Sequence, residues 1–576
     1  MSIVSISGQD PRDKVFALPE ICERISRSLD RKAITSCSRV SRAWNASWLP
    51  ILWHTIDAGK QWHQPAFLDA LGRHGDLIRI LKCSRYDDIS LLFSVDAAIC
   101  RNLITLVLPK TTLANEADHV RLLQQNPHLH NLSLSIHDDP SSSYARLIEA
   151  VCELRFLRRL AFDENKTLQV STLETILSKR NGSLQELSLK GTYFIKHPFG
   201  SAEEFASGLL AASDLAGQTS AEALSKDIKI ESKESFGIRS LCMDSVTCMQ
   251  DLVLNLGSRF PLLNRLSLRE SAEVYFSKDF PARLAKRCPK IKHLDISCSE
   301  DMDDATIASL IASFPSLQTF HAAETRFGNK SLMALVEYCG GLTVLDINTT
   351  YGIQGEIVQQ LLERCWGLRK LEGWDVSVNV GKMMAEAYKS GRAASAGPVV
   401  AHTDSSILRT KHSNHQGLRG QWACLELESL VLRFDYDSSE MTEDEKRLYP
   451  PSLARRFVYE QLSKLKKLKY LAIGATLLNN GEHGSDFEGE GDKDETSDSI
   501  WIDFSLRSGL ALLVPLTDLH TLCLSAIDHA VEVPEIVWMS KNWPNLRTIE
   551  GLYEDDDEQV VQWLRESRPD IEIDEE

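Results

Sequence analysis

The chain has 576 residues and carries 64 basic against 81 acidic side chains, a net charge of −17, which argues against a general binder of nucleic acid or of anionic membranes. Its length exceeds what one hydrophobic core serves, so several globular domains or one repeat array is expected. Apolar residues make up 43% of the chain, but no apolar run approaches the roughly 18 residues of a membrane span, and no membrane partner is expected.

Residues 1–12 read as a flexible N-terminus, with no basic cluster leading into an apolar core and hence no secretory signal. Thirteen scattered cysteines fit reduced thiols better than a disulfide framework, which points to the cytoplasm, the nucleus or both.

From 13 to 57 a small all-α segment is expected. Leu18-Pro19-Glu20 opens a helix with proline in its first turn, and Ile21, Ile25 and Leu29 form one apolar stripe. After a break near Asp30, Ile34, Cys37, Val40 and Trp44 form a second stripe, making a helical hairpin. Roughly 40 residues bury too little surface to stand alone, so a neighbour or a partner must cover the apolar side.

The order Leu-Pro, a helix ending in Leu29-Asp30, then Val40-Ser41-Arg42-Ala43-Trp44 and a later Leu52-Trp53 resembles the F-box, with Ser41 where many members carry cysteine. That resemblance implies that Leu18, Pro19, Ile25, Leu29, Ile34, Val40 and Trp44 contact or support a Skp-type adaptor, and through it a cullin scaffold. The residues alone leave open an ordinary helical cap, since any repeat array needs its first unit sealed.

From 58 to 576 one short pattern recurs, an apolar residue followed by others three and five positions later, beginning near residue 78. Clear copies are Leu103/Leu106/Leu108, Leu129/Leu132/Leu134, Leu263/Leu266/Leu268 and Leu342/Leu345/Ile347; later ones are Leu427/Leu430/Leu432, Leu468/Leu471/Ile473 and Leu519/Leu522/Leu524. Neighbouring copies are mostly 25 to 28 residues apart, and the 54-residue interval from Leu184 to Ile238 suggests one hidden degenerate repeat. Ten residues before the anchors Leu317, Leu342 and Leu368 stand Ile307/Leu310/Ile311, Leu332/Leu335/Val336 and Val358/Leu361/Leu362, the spacing of a helix face. Asp303 and Asp304 precede the first of these helices and Asn329 the second, as helix caps.

A unit of one strand and one helix cannot bury its apolar face alone, whereas stacked units share a core. The expected fold is therefore α/β: a solenoid with parallel strands on the concave face and helices on the convex face. The pattern resembles leucine-rich repeats. Cys100, Cys288, Cys339 and Cys365, each three residues before an anchor, look like the cysteine-containing subclass found in fungal-type F-box proteins. Core packing is the simpler role for these thiols.

The regular spacing breaks at 376–421 and at 475–500, which read as loop insertions; the second holds the acidic run 481–499. The acidic tail from Glu554 onward reads as a solvated segment. His412 and His415 lack a nearby cysteine or carboxylate to complete a metal set. Phosphate-binding, zinc-protease and nucleophile-elbow motifs are missing, so no catalytic residue, metal or cofactor is expected.

Strand alternation turns Arg265, Arg269, His293, Asp295, Ser297, His321, Val344, Asp346, Asn348, Lys370, Glu372 and Trp374 toward the concave surface. These are the candidate contacts for an unidentified protein target. Trp374 is either an interface anchor or a lateral packing residue beside Gly373. The resemblance implies a non-catalytic substrate-recognition subunit of a Skp-cullin-F-box ubiquitin ligase; alternatives are a repeat scaffold or an enzyme regulator without ligase association.

Overall fold

The computed structural model describes residues 19–57, 64–83, 100–111, 116–136, 144–163, 168, 170–179, 182–191, 237–246, 250–270, 276–348, 352–395, 421–437, 441–473, 502, 504–525, 531–552 and 557–574. Leu18, His412, His415 and the 475–500 insertion lie outside them. The chain forms two compact units, Met1–Leu263 and Asn264–Glu576.

In the first unit, three helices, Pro19–Ser26, Arg31–Ser38 and Arg42–His54, lead into strand β1 (Thr55–Asp57). β1 pairs in parallel with β2 (Ile80–Lys82), followed by β3 (Thr105–Thr111), β4 (Asn131–Ile136), β5 (Arg159–Phe162), β6 (Glu186–Ser188) and β7 (Ser240–Cys242), each parallel to the one before. Helices such as Glu116–Gln125 and Ala145–Glu153 return the chain between strands. The stack thus begins one strand earlier than the pattern near residue 78 indicated. β6 pairs directly with β7, Leu187 opposite Leu241, so no hidden repeat strand is inserted between them; residues 192–236 lie outside the described set.

The second unit repeats the plan with β8 (Arg265–Ser267), β9 (His293–Asp295), β10 (Thr319–His321), β11 (Val344–Asp346), β12 (Lys370–Asn379), β13 (Ser429–Asp435), β14 (Tyr470–Ile473), β15 (Thr521–Cys523), β16 (Thr548–Glu550) and β17 (Glu572–Asp574), again parallel in chain order. Each unit is a stretch of leucine-rich-repeat solenoid of the α/β class.

The reason lies in the pattern itself. The central leucine of each copy, such as Leu294, Leu345 and Leu371, is at most 1% exposed, with half-exposed neighbours on either side in β9 and β11. A three-residue strand can do this only if the next repeat covers its edge. Cys100, Cys288, Cys339 and Cys365 are fully buried, and burial pushes each thiol up to about 12. The Cys339 thiol donates a weak bond to the Phe314 carbonyl, 3.8 Å, from one repeat to the one before.

Between strand and helix the chain turns through left-handed residues at equivalent places: Glu270, Cys298 and Glu324 have φ of 52°, 59° and 54°. Their N–H groups donate to Ser297, Ala323 and Asn348 carbonyls at 3.0, 2.8 and 3.0 Å, so each strained turn is held by the following repeat.

Two segments expected to be irregular contain regular elements. The 376–421 insertion opens with the end of β12 and continues as helix Val380–Ser395, which buries Val380, Met383, Met384 and Ala387. Gly381 and Gly391 mask that helical spacing in the sequence. The acidic tail contains helix Glu558–Ser567, where Val560, Val561 and Leu564 form a buried stripe among charges, and then β17.

Candidate binding faces

Two surfaces gather the predicted residues. The first is the concave side of the second unit. Parallel register places Arg265, His293, Thr319, Val344 and Lys370 in one row. Ser267, Asp295, His321, Asp346 and Glu372 form the next row. Arg265 and Arg269 are exposed, while His293, Asp295, His321, Asp346, Asn348, Lys370, Glu372 and Trp374 are half-buried. Ser297, expected on this face, is instead buried at 4% exposure, because the chain bends immediately after β9.

The charged members of these rows are partly paired. Lys370 Nζ lies 2.5 Å from Glu372 Oε1, and His321 Nδ1 lies 3.3 Å from Asp346 Oδ2. His293 Nδ1 shares a 3.0 Å hydrogen bond with Thr319 Oγ1. Burial, reinforced by Arg265, Lys292 and His321, pushes the His293 pKa down, so its imidazole favours the neutral form. Asp295 Oδ1 accepts from Ser297 N at 3.1 Å, which fixes the carboxylate at the strand end.

Trp374 occupies a special place. The β12–β13 register shifts between Glu372 and Ser377, and this bulge swings Trp374 sideways over the neighbouring strands. Its backbone N–H donates to Asn348 Oδ1 at 2.8 Å. The indole packs on a buried cluster of Val431, Ala472 and Cys523 and meets Tyr470 edge-on, ring centroids 6.5 Å apart at 70°. Tyr470 OH donates to Glu550 Oε2 at 2.8 Å, and burial first, then Cys523 and Glu550, pushes its pKa up. Of the two roles considered for Trp374, the structure shows the lateral packing, and the side chain stays half-buried.

Val431, Ala472, Cys523, Tyr470 and Glu550 escaped the sequence reading. From Glu372 through Val431 and Ala472 to Cys523 the equivalent positions stand 41 to 59 residues apart in the chain, so their adjacency emerges only when β12 through β16 pair directly. A signal existed: the position after the central leucine is acidic in Leu294-Asp295, Leu345-Asp346 and Leu371-Glu372 but small and apolar in Leu430-Val431, Leu471-Ala472 and Leu522-Cys523.

The second surface is the N-terminal helical segment. It is three helices rather than a hairpin. Asp30 Oδ1 caps the second helix by accepting from Ala33 N, and Ser41 Oγ caps the third by accepting from Trp44 N at 3.1 Å. Ser41 therefore starts a new helix, and Val40 falls in the preceding turn, 62% exposed. Pro19 begins the first helix; Ile25, Leu29, Ile34 and Trp44 are half-buried.

Trp48 holds this segment together: it is 1% exposed, with its ring stacked on Trp44 at 6.1 Å. Cys22 and Trp48 are the fully buried apolar residues among those described in 19–54. An open trough of about 680 Å³ runs along the first helix, floored by Ile21, Ile25 and Leu29 between Glu20, Arg24 and Arg27.

Among the described residues, no group of three or more His, Cys, Asp or Glu is placed to hold a metal, and no helix is long and apolar enough to cross a membrane.

No protein-family model matches the chain, and no curated protein matches it. Among solved structures, the leucine-rich-repeat protein LIC12759 of Leptospira interrogans is similar over 83% of this chain and 97% of its own, at 13% identity and a TM-score of 0.35. A chain of the Rad7 and Elc1 complex in yeast is similar over 65% and 93%, at 15% identity and 0.34. The TLR13–ssRNA13 complex is similar over 86% and 64%, at 13% identity and 0.32.

Proposed function

We propose that this protein is a non-catalytic substrate receptor of a Skp-cullin-F-box ubiquitin ligase, acting in the cytoplasm or nucleus. The observation that carries the reading is the N-terminal segment: three short helices, the second and third capped by Asp30 and Ser41, tied down through Trp48, that leave Ile25, Leu29, Ile34, Val40 and Trp44 half- or largely exposed in one short stretch. So small a helical unit with so little buried apolar surface calls for a protein cover. A cap serving only the repeats would direct these side chains into the stack. Instead Trp48 alone of the third helix is fully buried, and Val40 points to solvent.

In this reading the helical segment docks on the Skp-type adaptor and the repeats hold a protein target on their concave face. Arg265, Arg269, His293, Asp295, His321, Asp346, Asn348, Lys370, Glu372 and Trp374 are the contact set for the target. This chain contributes no reacting group; rate acceleration comes from holding target lysines near a separate conjugating enzyme.

The test is co-purification of the full chain with a Skp-type adaptor, wild type against Leu18→Ala/Pro19→Ala/Trp44→Ala and, separately, against Val40→Glu. Val40 is exposed, so the latter variant folds normally. A complex lost in both variants supports the receptor reading. If soluble wild type fails to bind, or Val40→Glu binds unchanged, the chain is a repeat scaffold or enzyme regulator whose helices serve as a cap.

A further inference from the structure

The concave row that runs acidic through Asp295, Asp346 and Glu372 changes abruptly at β13. There the outward positions become Val431, Ala472 and Cys523, roofed by Trp374 and Tyr470, before acid returns at Glu550 and Asp574. An aromatic platform is thus bracketed by carboxylates on both sides along a single row. The Tyr470 hydroxyl is held by Glu550, and the Trp374 indole packs on Val431, Ala472 and Cys523 and against Tyr470, so little side-chain entropy remains to be lost when a partner settles there. Lys370 offsets part of the charge on the β12 side through Glu372. The β16–β17 side is more acidic, with Glu550, Glu572 and Asp574 together.

We propose that this row takes an extended partner segment in which an apolar side chain, seated on Trp374 and Tyr470, is flanked on each side by basic residues. The spacing follows from the sheet. Glu372 on β12 and Glu550 on β16 are four strand steps apart, roughly 19 Å at about 4.8 Å per step, which an extended segment at about 3.3 Å per residue spans in about six residues. The apolar contact supplies most of the affinity and the carboxylates set register and exclude acidic segments. The inference rests on the concave face being the target face, and it names the chemistry of the target.

Purified full-length chain, with and without the Skp-type adaptor, is titrated against fluorescent peptides carrying Leu-Phe flanked by Lys/Arg pairs. Control peptides replace Leu-Phe by Ser-Ser or the basic pairs by Glu. The basic–apolar–basic peptide binds at least about tenfold more tightly than either control. Trp374→Ala weakens it about tenfold, and the isosteric Glu550→Gln, which keeps an acceptor for Tyr470, weakens it about threefold and reduces its salt dependence. Equal binding of all three peptides, or unchanged binding by Glu550→Gln, overturns the proposal. Peptide binding without adaptor binding sinks only the ligase reading, whereas adaptor binding without peptide selectivity sinks only this one.

Discussion

His119 is fully buried in helix Glu116–Gln125, and neither ring nitrogen has a hydrogen-bond partner. Burial dominates the neighbouring Asp118 and pushes its pKa down from 6.5 to about 4. Between those values the unfolded chain binds a proton that the folded protein refuses, so stability rises with pH across that window and is level above it. Acidification from pH 7.5 to 5 should therefore cost roughly 2 kcal/mol from this residue, read as a shift in urea midpoint. His119→Leu should abolish that increment and raise stability at pH 7.5 by about 1 kcal/mol or more, because two unpaired buried polar atoms are removed. An unchanged pH slope in His119→Leu would falsify the assignment. Trp374 illustrates the same scale in the sequence: the residue type stands out, but what it does depends on atoms from elsewhere in the fold, namely the Asn348 amide and the Val431 cluster.

At the scale of the element, helix starts in the second unit are capped across repeats. Asp303 caps its own helix in the expected way, its carboxylate accepting from Thr306 N at 2.8 Å. Asp304 instead reaches the next helix, Asn329–Tyr338, and accepts from Gly328 N, Lys330 N and Ser331 N at 2.9, 3.0 and 2.9 Å. Gly328 permits that approach, since a Cβ there would lie 2.8 Å from Asp304 Oδ2. Asn329, expected to cap its own helix, repeats the device one unit on: it accepts from Gln354 N at 2.8 Å and donates to the Gly352 carbonyl at 2.9 Å. Asp304→Ala should cost about 2 kcal/mol or more, because three amides at a helix start lose a charged acceptor at once. Hydrogen exchange should localise the loss to Asn329–Tyr338; an effect confined to Asp304–Ser313 would show that the residue acts on its own helix. The sequence shows the capping residue types but not that they serve the following repeat, which is a matter of stacking distance.

At the scale of the molecule, the repeats depend on their neighbours for coverage, and the last described repeat of the second unit shields the one before. Helix Glu558–Ser567 buries Val560, Val561 and Leu564, and β17 covers the edge of β16 with the acidic Glu572 and Asp574 outermost. Ending the chain after Leu552 should bare Ile549 and its strand edge, lower the thermal midpoint and increase self-association on size exclusion; a monodisperse monomer of unchanged stability would contradict this. Periodicity was legible from the start because every copy must bury the same positions, so Leu294, Leu345, Leu371 and their cysteine neighbours announce both the repeat and its inward face. The α/β solenoid class, the parallel strands and the outward set from Arg265 to Glu372 follow from that repetition alone, except for Ser297, which the bend after β9 buries. What only the tertiary structure decided was whatever depends on which copies become neighbours. Direct pairing of β6 with β7 and of β12 through β16 closes gaps of very different length, and the pairing of β12 through β16 assembles Trp374, Tyr470 and Glu550 into one platform. Chain distance carries no information about that adjacency, because a strand edge pairs with whichever repeat covers it, however much chain lies between.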